Sequence, residues 1–223
     1  EAKNESDGIL TCESQTSSEL VEIETDVLRK PIHSTDFEKY AFTGSANKRL
    51  IWPYNKEYNL LSESEFQSNY PKAWDYLSDN RESLEDRADF LEWYGYSAAR
   101  NLEIHDSAEI LIPLLANGPS FSKYPKPQSD YILMASGGFS ISLETNSKYS
   151  RGYILALINS NLLYLCLKSI SNVFRGGYIT CTKQYFEQLP IRVIEFSTPG
   201  PVREQKVQKI IEIHNNPKKS DKD

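Results

Sequence analysis

The feature that most constrains the fold is an apolar stretch from Tyr153 to Leu167, interrupted only by Asn159-Ser160-Asn161. Its 15 residues fall short of the about 20 that a helix needs to cross a bilayer. The stretch therefore predicts a buried helix, or two short helices with Asn159 or Ser160 ending the first and capping the second. Apolar residues occupy most sides of the helical projection, so we expect protein to surround the segment. Those on one face are Ile154, Leu157, Ile158, Leu162 and Leu165, and those on the other are Leu155, Leu163, Tyr164 and Leu167.

The residues around and after this stretch form the most basic part of the chain. Cations at five positions face the single acid Glu187, namely Arg151, Lys168, Arg175, Lys183 and Arg192. Gly176-Gly177 breaks any regular element, Tyr178-Ile179-Thr180 predicts a short strand, and Thr182 predicts the N-cap of one or two helical turns before Pro190. Glycines let a backbone approach a partner closely, and a helix start beside cations binds phosphate. The segment is a candidate anion site, although Gly-Gly next to a basic residue also occurs in many ordinary loops.

The order of the motifs in this region resembles that of a known family. Ile158-Asn159-Ser160 opens an apolar helix, and Gly176-Gly177-Tyr178, Lys183-Gln184-Tyr185 and Leu189-Pro190-Ile191 follow. The succession resembles the C-terminal target-recognition (specificity) domain of TaqI-like adenine-N6 DNA methyltransferases of type II restriction–modification systems. The resemblance implies an α+β fold with a mixed or antiparallel sheet and packed helices. It also implies double-stranded DNA as a partner, together with a methyltransferase catalytic domain of the same parent polypeptide that uses S-adenosylmethionine.

A second match lies between Leu28 and Tyr40, where the family joins its catalytic and recognition domains. The matching positions are Leu28, Pro31, Asp36, Lys39 and Tyr40, whereas His33-Ser34-Thr35 replaces the family's usual Arg-Gly pair. The resemblance implies DNA contacts for Lys30 and Lys39. Considered without the family, both lysines are more readily explained as surface charges.

Signatures of catalysis are missing from the sequence. Trp52-Pro53-Tyr54 lacks the Asn and one Pro of the Asn-Pro-Pro-Tyr motif that holds the target adenine in such methyltransferases, and no glycine-rich S-adenosylmethionine loop follows a strand. His33, His105 and His214 are isolated, and the carboxylates of residues 62–94 recur at the spacing of a solvated helix face. We therefore expect no catalytic residue, cofactor or metal site in this chain. The expected parent is an adenine-specific DNA methyltransferase, with or without restriction endonuclease activity.

The net charge of −6 opposes nucleic-acid binding only if it is spread evenly. Residues 1–26 carry eight acids against one lysine and residues 61–110 twelve acids against four cations, so the remainder has a net charge of +9 (−6 minus −7 minus −8). This distribution is compatible with one DNA-binding face.

Three cysteines without paired spacing and no signal-like start favour a cytoplasmic location. A first residue other than methionine indicates a piece of a longer protein.

The sequence predicts four segments. They are a loose N-terminal segment (1–19), the recognition domain (20–197), a C-terminal amphipathic helix (198–216) and a disordered tail (217–223). Within the domain, Ser62 and Glu65 predict a capping box, and the helical pattern that follows places Leu91 inward. Tyr131–Met134 and Phe139–Leu143 predict a hairpin closed by Gly137-Gly138.

The functional hypothesis is a domain that reads base edges of duplex DNA and positions the target adenine for flipping. Arg175 suits guanine or phosphate, Lys183 suits phosphate, and Gln184 suits adenine. The remaining candidate DNA-binding residues are Gly176, Gly177, Tyr178, Lys168, Lys30 and Lys39. The alternative is a protein-interaction or structural domain of a defence-system complex, which the acidic regions and the 12% aromatic content favour.

Overall fold

The computed structural model describes residues 2–44, 47–97, 99–145, 147, 149–192 and 200–215. The chain divides into two compact units, of which one comprises Glu1–Pro31, Ser45–Asp106 and Lys126–Ile132, and the other Ile32–Gly44, Ser107–Pro125 and Leu133–Asp223. By sequence, the first carries 21 acidic and 11 basic residues, and the second 10 acidic and 14 basic residues. We call them the acidic unit and the basic unit. The predicted boundaries of the recognition domain, 20–197, stay a prediction.

The fold is α+β, with helices and several small sheets. The strands found in the described residues are β1 (Ala2–Ser6), β2 (Ile9–Glu13), β3 (Leu20–Glu24), β4 (Leu28–Ile32), β5 (Phe37–Glu38), β6 (Ala41–Phe42), β7 (Leu50–Ile51), β8 (Ile110–Ile112), β9 (Leu115–Ala116), β10 (Ser122–Lys123), β11 (Tyr131–Leu133), β12 (Phe139–Ile141) and β13 (Ile179–Thr180). The helices there are α1 (Glu63–Asn69), α2 (Pro71–Asp79), α3 (Arg81–Glu85), α4 (Ile104–Ser107), α5 (Arg151–Ile158), α6 (Asn161–Ile170), α7 (Lys183–Phe186) and α8 (Gly200–Asn215).

The N-terminal segment that was expected to be loose instead forms two strands of a sheet. β1 pairs antiparallel with β2, and β2 with β3, with Leu10 opposite Ile23 and both side chains buried. Asp7 and Gly8 both have positive φ (52° and 77°) and form the two-residue turn between Ser6 and Ile9. Asp-Gly is a strong hairpin pair because it tolerates this backbone conformation. The local signal was present, but the polar composition of residues 1–19 hid it.

The helices of the acidic unit pack around an aromatic core. Ser62 caps α1 in the predicted capping box with Glu65, which is confirmed. The carboxylate of Glu24 accepts the N–H groups of Lys72 (2.8 Å) and Ala73 (3.0 Å) at the start of α2, where a negative charge stabilises a helix. The predicted inward position of Leu91 is wrong, since α3 ends at Glu85 and Leu91 is 85% exposed.

Within this core, aromatic rings pack in tilted and edge-to-face pairs. The ring centroids of Phe66 and Tyr94 are 5.7 Å apart, and those of Trp74 and Trp93 are 5.2 Å apart. Such pairs each contribute about 1 kcal/mol beyond the burial of apolar area.

The basic unit is built on the predicted apolar stretch. It folds as two helices, α5 and α6, with Ser160 as the N-cap of α6 through a hydrogen bond from the Leu163 N–H (3.2 Å), as predicted. The expectation that protein surrounds the whole stretch is wrong for Leu162 and Leu165, which are 71% and 61% exposed. The helices are bent by 63° at their junction. The helical phase therefore restarts at the bend, and one apolar side of α6 faces solvent.

The core of the basic unit joins these helices to a sheet of order β10-β8-β12. Ile110, Leu111 and Leu155 are completely buried. α8 lies against α5 and occupies residues for which a late helix was predicted. The predicted tail, 217–223, lies outside the described residues.

The hairpin predicted between residues 131 and 143 is wrong. β11 belongs to a sheet of order β11-β4-β7, whereas β12 pairs with β8, with Phe139 opposite Ile112. A side-chain carbon added at Gly137 would lie 2.5 Å from the Ile32 carbonyl oxygen, and one at Gly138 would lie 2.0 Å from that of Ile112. The two glycines therefore permit close backbone packing and do not close a hairpin.

In the part of the chain that the structure describes, no single helix is long and apolar enough to span a membrane. α5 and α6 reach that length and composition only when taken together across their bend.

Candidate nucleic-acid interface

The basic segment singled out in the sequence forms a tight hairpin in the basic unit. Val173 bridges Ile179, the Phe174 N–H donates to the Tyr178 carbonyl (2.7 Å), and the Thr180 N–H donates to the Asn172 carbonyl (3.1 Å). Between these arms, Arg175–Gly177 makes one 3₁₀ turn. We call residues 172–180 the glycine hairpin.

The two glycines are required by the backbone of this turn. Gly176 and Gly177 have φ values of 81° and 79°, a left-handed conformation that residues with a Cβ atom adopt only at a cost. Space is not the reason, because a Cβ added to Gly177 would meet its nearest neighbour, Asn117 Oδ1, at 3.6 Å. The prediction that Gly176-Gly177 breaks the regular structure is confirmed.

Of the predicted cations of this region, Lys168, Arg175 and Lys183 are exposed, whereas Arg151 is half-buried and forms an ion pair with Glu109 (3.2 Å). Within the described residues, Arg175 and Lys168 take part in no ion pair, so their charges are available to a ligand. Lys183 lies 3.3 Å from Glu187, but both side chains are largely in solvent. Such a surface pair contributes about 0–1 kcal/mol and gives way easily to a stronger anion.

The helix after the hairpin has the shorter of the two lengths that the sequence indicated. α7 consists of one turn, Lys183–Phe186, and Thr182 occupies the predicted N-cap position, but its hydroxyl makes no capping hydrogen bond. The hydroxyl oxygens of Thr180 and Thr182 are buried without a partner in the described structure. Gln184 is exposed, and its backbone carbonyl accepts a hydrogen bond from the Gln188 side chain (2.7 Å).

A buried amide fixes the scaffold next to the hairpin. Asn159 is 1% exposed, and its Oδ1 accepts the Phe121 N–H (3.1 Å) while its Nδ2 donates to the Phe121 carbonyl (2.8 Å). The Phe121 ring packs edge to face on Phe186 of α7, with centroids 5.4 Å apart. The segment 115–121 and α7 are thereby held to the core helices, and a rigid support is what a recognition site needs.

The other two predicted lysines have local partners. Lys30 lies in the acidic unit, 4.0 Å from Asp130 and over the ring of Tyr131 (5.2 Å to the centroid). Lys39 is half-buried in the basic unit and lies over the ring of Tyr40 (5.5 Å).

The fold brings only some of the predicted site residues together. Arg175, Gly176, Gly177 and Tyr178 lie in one turn, and Lys183 and Gln184 follow in α7. Lys30 belongs to the other unit.

Two residues at the hairpin, Phe174 and Asn117, were not predicted from the sequence, whereas Tyr178 was. Phe174 is 52% exposed beside Arg175, and Tyr178 across the turn is 45% exposed. Asn117 lies against Gly177, sixty positions away in the chain. No pattern in the sequence linked Asn117 to the glycine hairpin.

The described residues contain no group of three or more His, Cys, Asp or Glu side chains that could hold a metal ion.

Comparisons with known proteins relate the chain to restriction–modification enzymes. No family model matches it. It is 25% identical over an alignment of 169 residues to the type II restriction enzyme and methyltransferase RM.Eco57I of Escherichia coli, and the match covers 69% of the chain. The aligned part is 16% of that enzyme's length, so the chain corresponds to a small portion of its relative.

Proposed function

We propose that this chain is the DNA sequence-recognition part of a restriction–modification enzyme. Its role is to bind duplex DNA and to position a target adenine for N6 methylation. The chemistry, together with S-adenosylmethionine, belongs to a catalytic domain outside the chain. The similarity to a restriction enzyme and methyltransferase supports the class of parent, and the glycine hairpin supports the recognition role.

The observation that best supports the proposal is that Arg175 is exposed and takes part in no ion pair among the described residues. It lies at the tip of a hairpin with two left-handed glycines. A guanidinium presents a rigid fork of donors that matches phosphate oxygens or the O6 and N7 atoms of guanine. Exposed aromatic rings at Phe174 and Tyr178 flank it, and such rings are common where proteins contact nucleotides.

The charge distribution removes the objection raised by the net charge of −6. The glycine hairpin, Lys168 and Lys183 all belong to the unit with 14 basic and 10 acidic residues. Because charges separated by more than about 10 Å are screened in physiological salt, the local balance governs contacts with phosphates. The acidic unit lowers non-specific affinity, which favours discrimination between sites.

The test measures binding of the chain to fluorescent duplexes by anisotropy over a series of salt concentrations. Arg175→Ala is expected to weaken binding. If Arg175 contacts phosphate, the slope of log K against log salt falls by about 1, and if it contacts guanine, discrimination falls by about 1–3 kcal/mol. Lys206→Ala is the matched control, since it removes an exposed cation from α8 of the same unit. An equal loss of DNA affinity in both variants, or no loss in either, would show that Arg175 does not contact the DNA.

A second candidate function is protein binding through the apolar side of α6. Leu162 and Leu165 are 71% and 61% exposed there, which is unusual for neighbouring leucines on one helix. This candidate predicts no salt-dependent DNA binding by the chain. It further predicts that Leu162→Ser with Leu165→Ser abolishes capture of the catalytic portion of the parent enzyme while Arg175→Ala leaves that capture intact.

A further inference from the structure

The register of the small sheet at the hairpin places a polar side chain next to the glycine turn. β13 pairs antiparallel with β9, with Ile179 opposite Ala116 and Thr180 opposite Leu115. The next position on the β9 side is Asn117, and its Oδ1 would be 3.6 Å from a Cβ on Gly177. Since Arg175 is two residues from Gly177, their Cα atoms are within about 8 Å. Asn117 therefore lies close enough to Arg175 for the two side chains to contact the same short stretch of a duplex.

The residues before and after Asn117 are both hydrogen-bonded to one hydroxyl group. Tyr164 of α6 accepts the Gly118 N–H (2.8 Å) and donates to the Ala116 carbonyl (3.5 Å). Gly118 has a φ of 127°, so the chain turns sharply directly after Asn117. A side chain with two torsions on a clamped backbone loses little entropy when it binds a ligand. Gln184, the adenine reader predicted from the sequence, has a longer side chain on a single-turn helix.

The amide of Asn117 is exposed and makes no hydrogen bond in the described structure. A carboxamide offers one acceptor and a pair of donors side by side. The edge of adenine in the major groove presents the complementary pair, an N7 acceptor and an N6 donor, and Asn binds it in bidentate fashion. Guanine presents two acceptors instead, and cytosine and thymine present a single hydrogen-bonding group each, so none of them matches the amide in bidentate fashion.

We propose that Asn117 is a base-reading residue that recognises an adenine in the major groove beside the nucleotide contacted by Arg175. This inference rests on the proposed function and adds a specificity-determining residue to it. Tyr164 is the positioning residue that holds Asn117 in place.

The test selects binding sites for the chain from a pool of randomised duplexes and compares variants by the enriched sequences. The unsubstituted chain is expected to enrich a motif that contains adenine at the position read by Asn117. Asn117→Ala should lower the preference for that adenine by about 5- to 150-fold while binding to the unselected pool stays within about twofold. Asn117→Asp should move the preference toward cytosine, because a carboxylate accepts from the cytosine N4 donor.

Two further variants separate reading from positioning. Tyr164→Phe removes the hydroxyl that bridges Ala116 and Gly118 and should lower the same preference by about 2- to 10-fold. Asn161→Ala removes an exposed amide at the first residue of α6, and its motif should equal that of the unsubstituted chain. Circular dichroism spectra establish that each variant is folded.

The outcomes distinguish the inference from the function on which it rests. If the chain enriches a motif and both Asn117 variants enrich the same motif equally well, Asn117 reads no base and the proposed function survives. If the unsubstituted chain binds no duplex, or binds without dependence on salt, the proposed function fails and the inference fails with it.

Discussion

The buried amide of Asn159 permits the sharpest prediction about stability. Substitution by alanine removes two hydrogen bonds to Phe121 and one to the Leu155 carbonyl. The Phe121 carbonyl keeps a bond from the Tyr40 N–H (2.8 Å), and the Leu155 carbonyl keeps one from the Asn159 N–H (3.1 Å). The Phe121 N–H alone loses its described partner while it remains buried.

The expected magnitude follows from this count. A buried N–H group without a partner costs about 1–3 kcal/mol, and the small cavity left by three side-chain atoms adds about 1 kcal/mol. We therefore expect Asn159→Ala to lower the free energy of unfolding of the basic unit by about 2–4 kcal/mol. Asn161→Ala, at an exposed position two residues away, should change it by less than about 0.5 kcal/mol.

The assay combines urea unfolding, followed by far-ultraviolet circular dichroism, with hydrogen exchange. All three tryptophans, at positions 52, 74 and 93, belong to the acidic unit, so their fluorescence reports on that unit and not on the basic one. Exchange measured by mass spectrometry over residues 115–124 should accelerate at least about tenfold in Asn159→Ala. Equal stability and equal exchange for Asn159→Ala and Asn161→Ala would refute the view that this amide holds the segment.

The Asn159→Asp variant provides a second test, because its stability should depend on pH in a distinct way. A carboxylate at this position can still accept the Phe121 N–H. Its second oxygen, however, faces the carbonyls of Phe121 and Leu155, to which the amide nitrogen of Asn159 donates hydrogen bonds. The ionised form is disfavoured in that setting, so the folded protein raises the pKa of the substituted carboxyl. The variant should be least stable at neutral pH and recover as the pH falls, and a flat profile would contradict this reasoning.

Three further predictions concern a glycine, a thiol and an imidazole. Gly177→Ala should destabilise the chain by about 1 kcal/mol in urea unfolding, because φ is 79° although a Cβ has room, and an unchanged midpoint would contradict the strain. Burial raises the pKa of Cys181 to about 12, so iodoacetamide should modify the half-buried Cys166 in the native protein before it modifies Cys181. Burial lowers the pKa of His105, so the unfolded state binds more protons once the pH drops below about 6.5. Stability should therefore fall in acid, and His105→Gln should remove that part of the fall.

Features set by neighbouring residues were predictable. The capping box of Ser62 with Glu65, the cap at Ser160 and the break at Gly176-Gly177 all form where the pattern placed them. Each depends on hydrogen bonds or dihedral angles within four residues, so the local sequence contains the information. The Asp7-Gly8 turn also depends only on neighbouring residues, but the polar composition of residues 1–19 obscured its hairpin.

Features set by distant partners were not predictable. β11 and β12 have the expected extended structure, but each pairs with a strand far away in the chain. Hydrophobic periodicity fixes which residues are apolar, and it cannot choose the strand beside which they lie. The exposure of Leu162 and Leu165 has the same origin, since the bend after α5 changes the direction of α6.

The sequence by itself indicated a helical core stretch, as one helix or two, and a cationic turn containing two glycines, and its resemblance to a known family indicated the α+β character. Only the tertiary structure separated an acidic unit from a basic one and brought Asn117 against Gly177 through the pairing of β9 with β13. The physical reason is that local propensities act over a few bonds, whereas strand pairing joins residues whose separation in the chain carries no pattern.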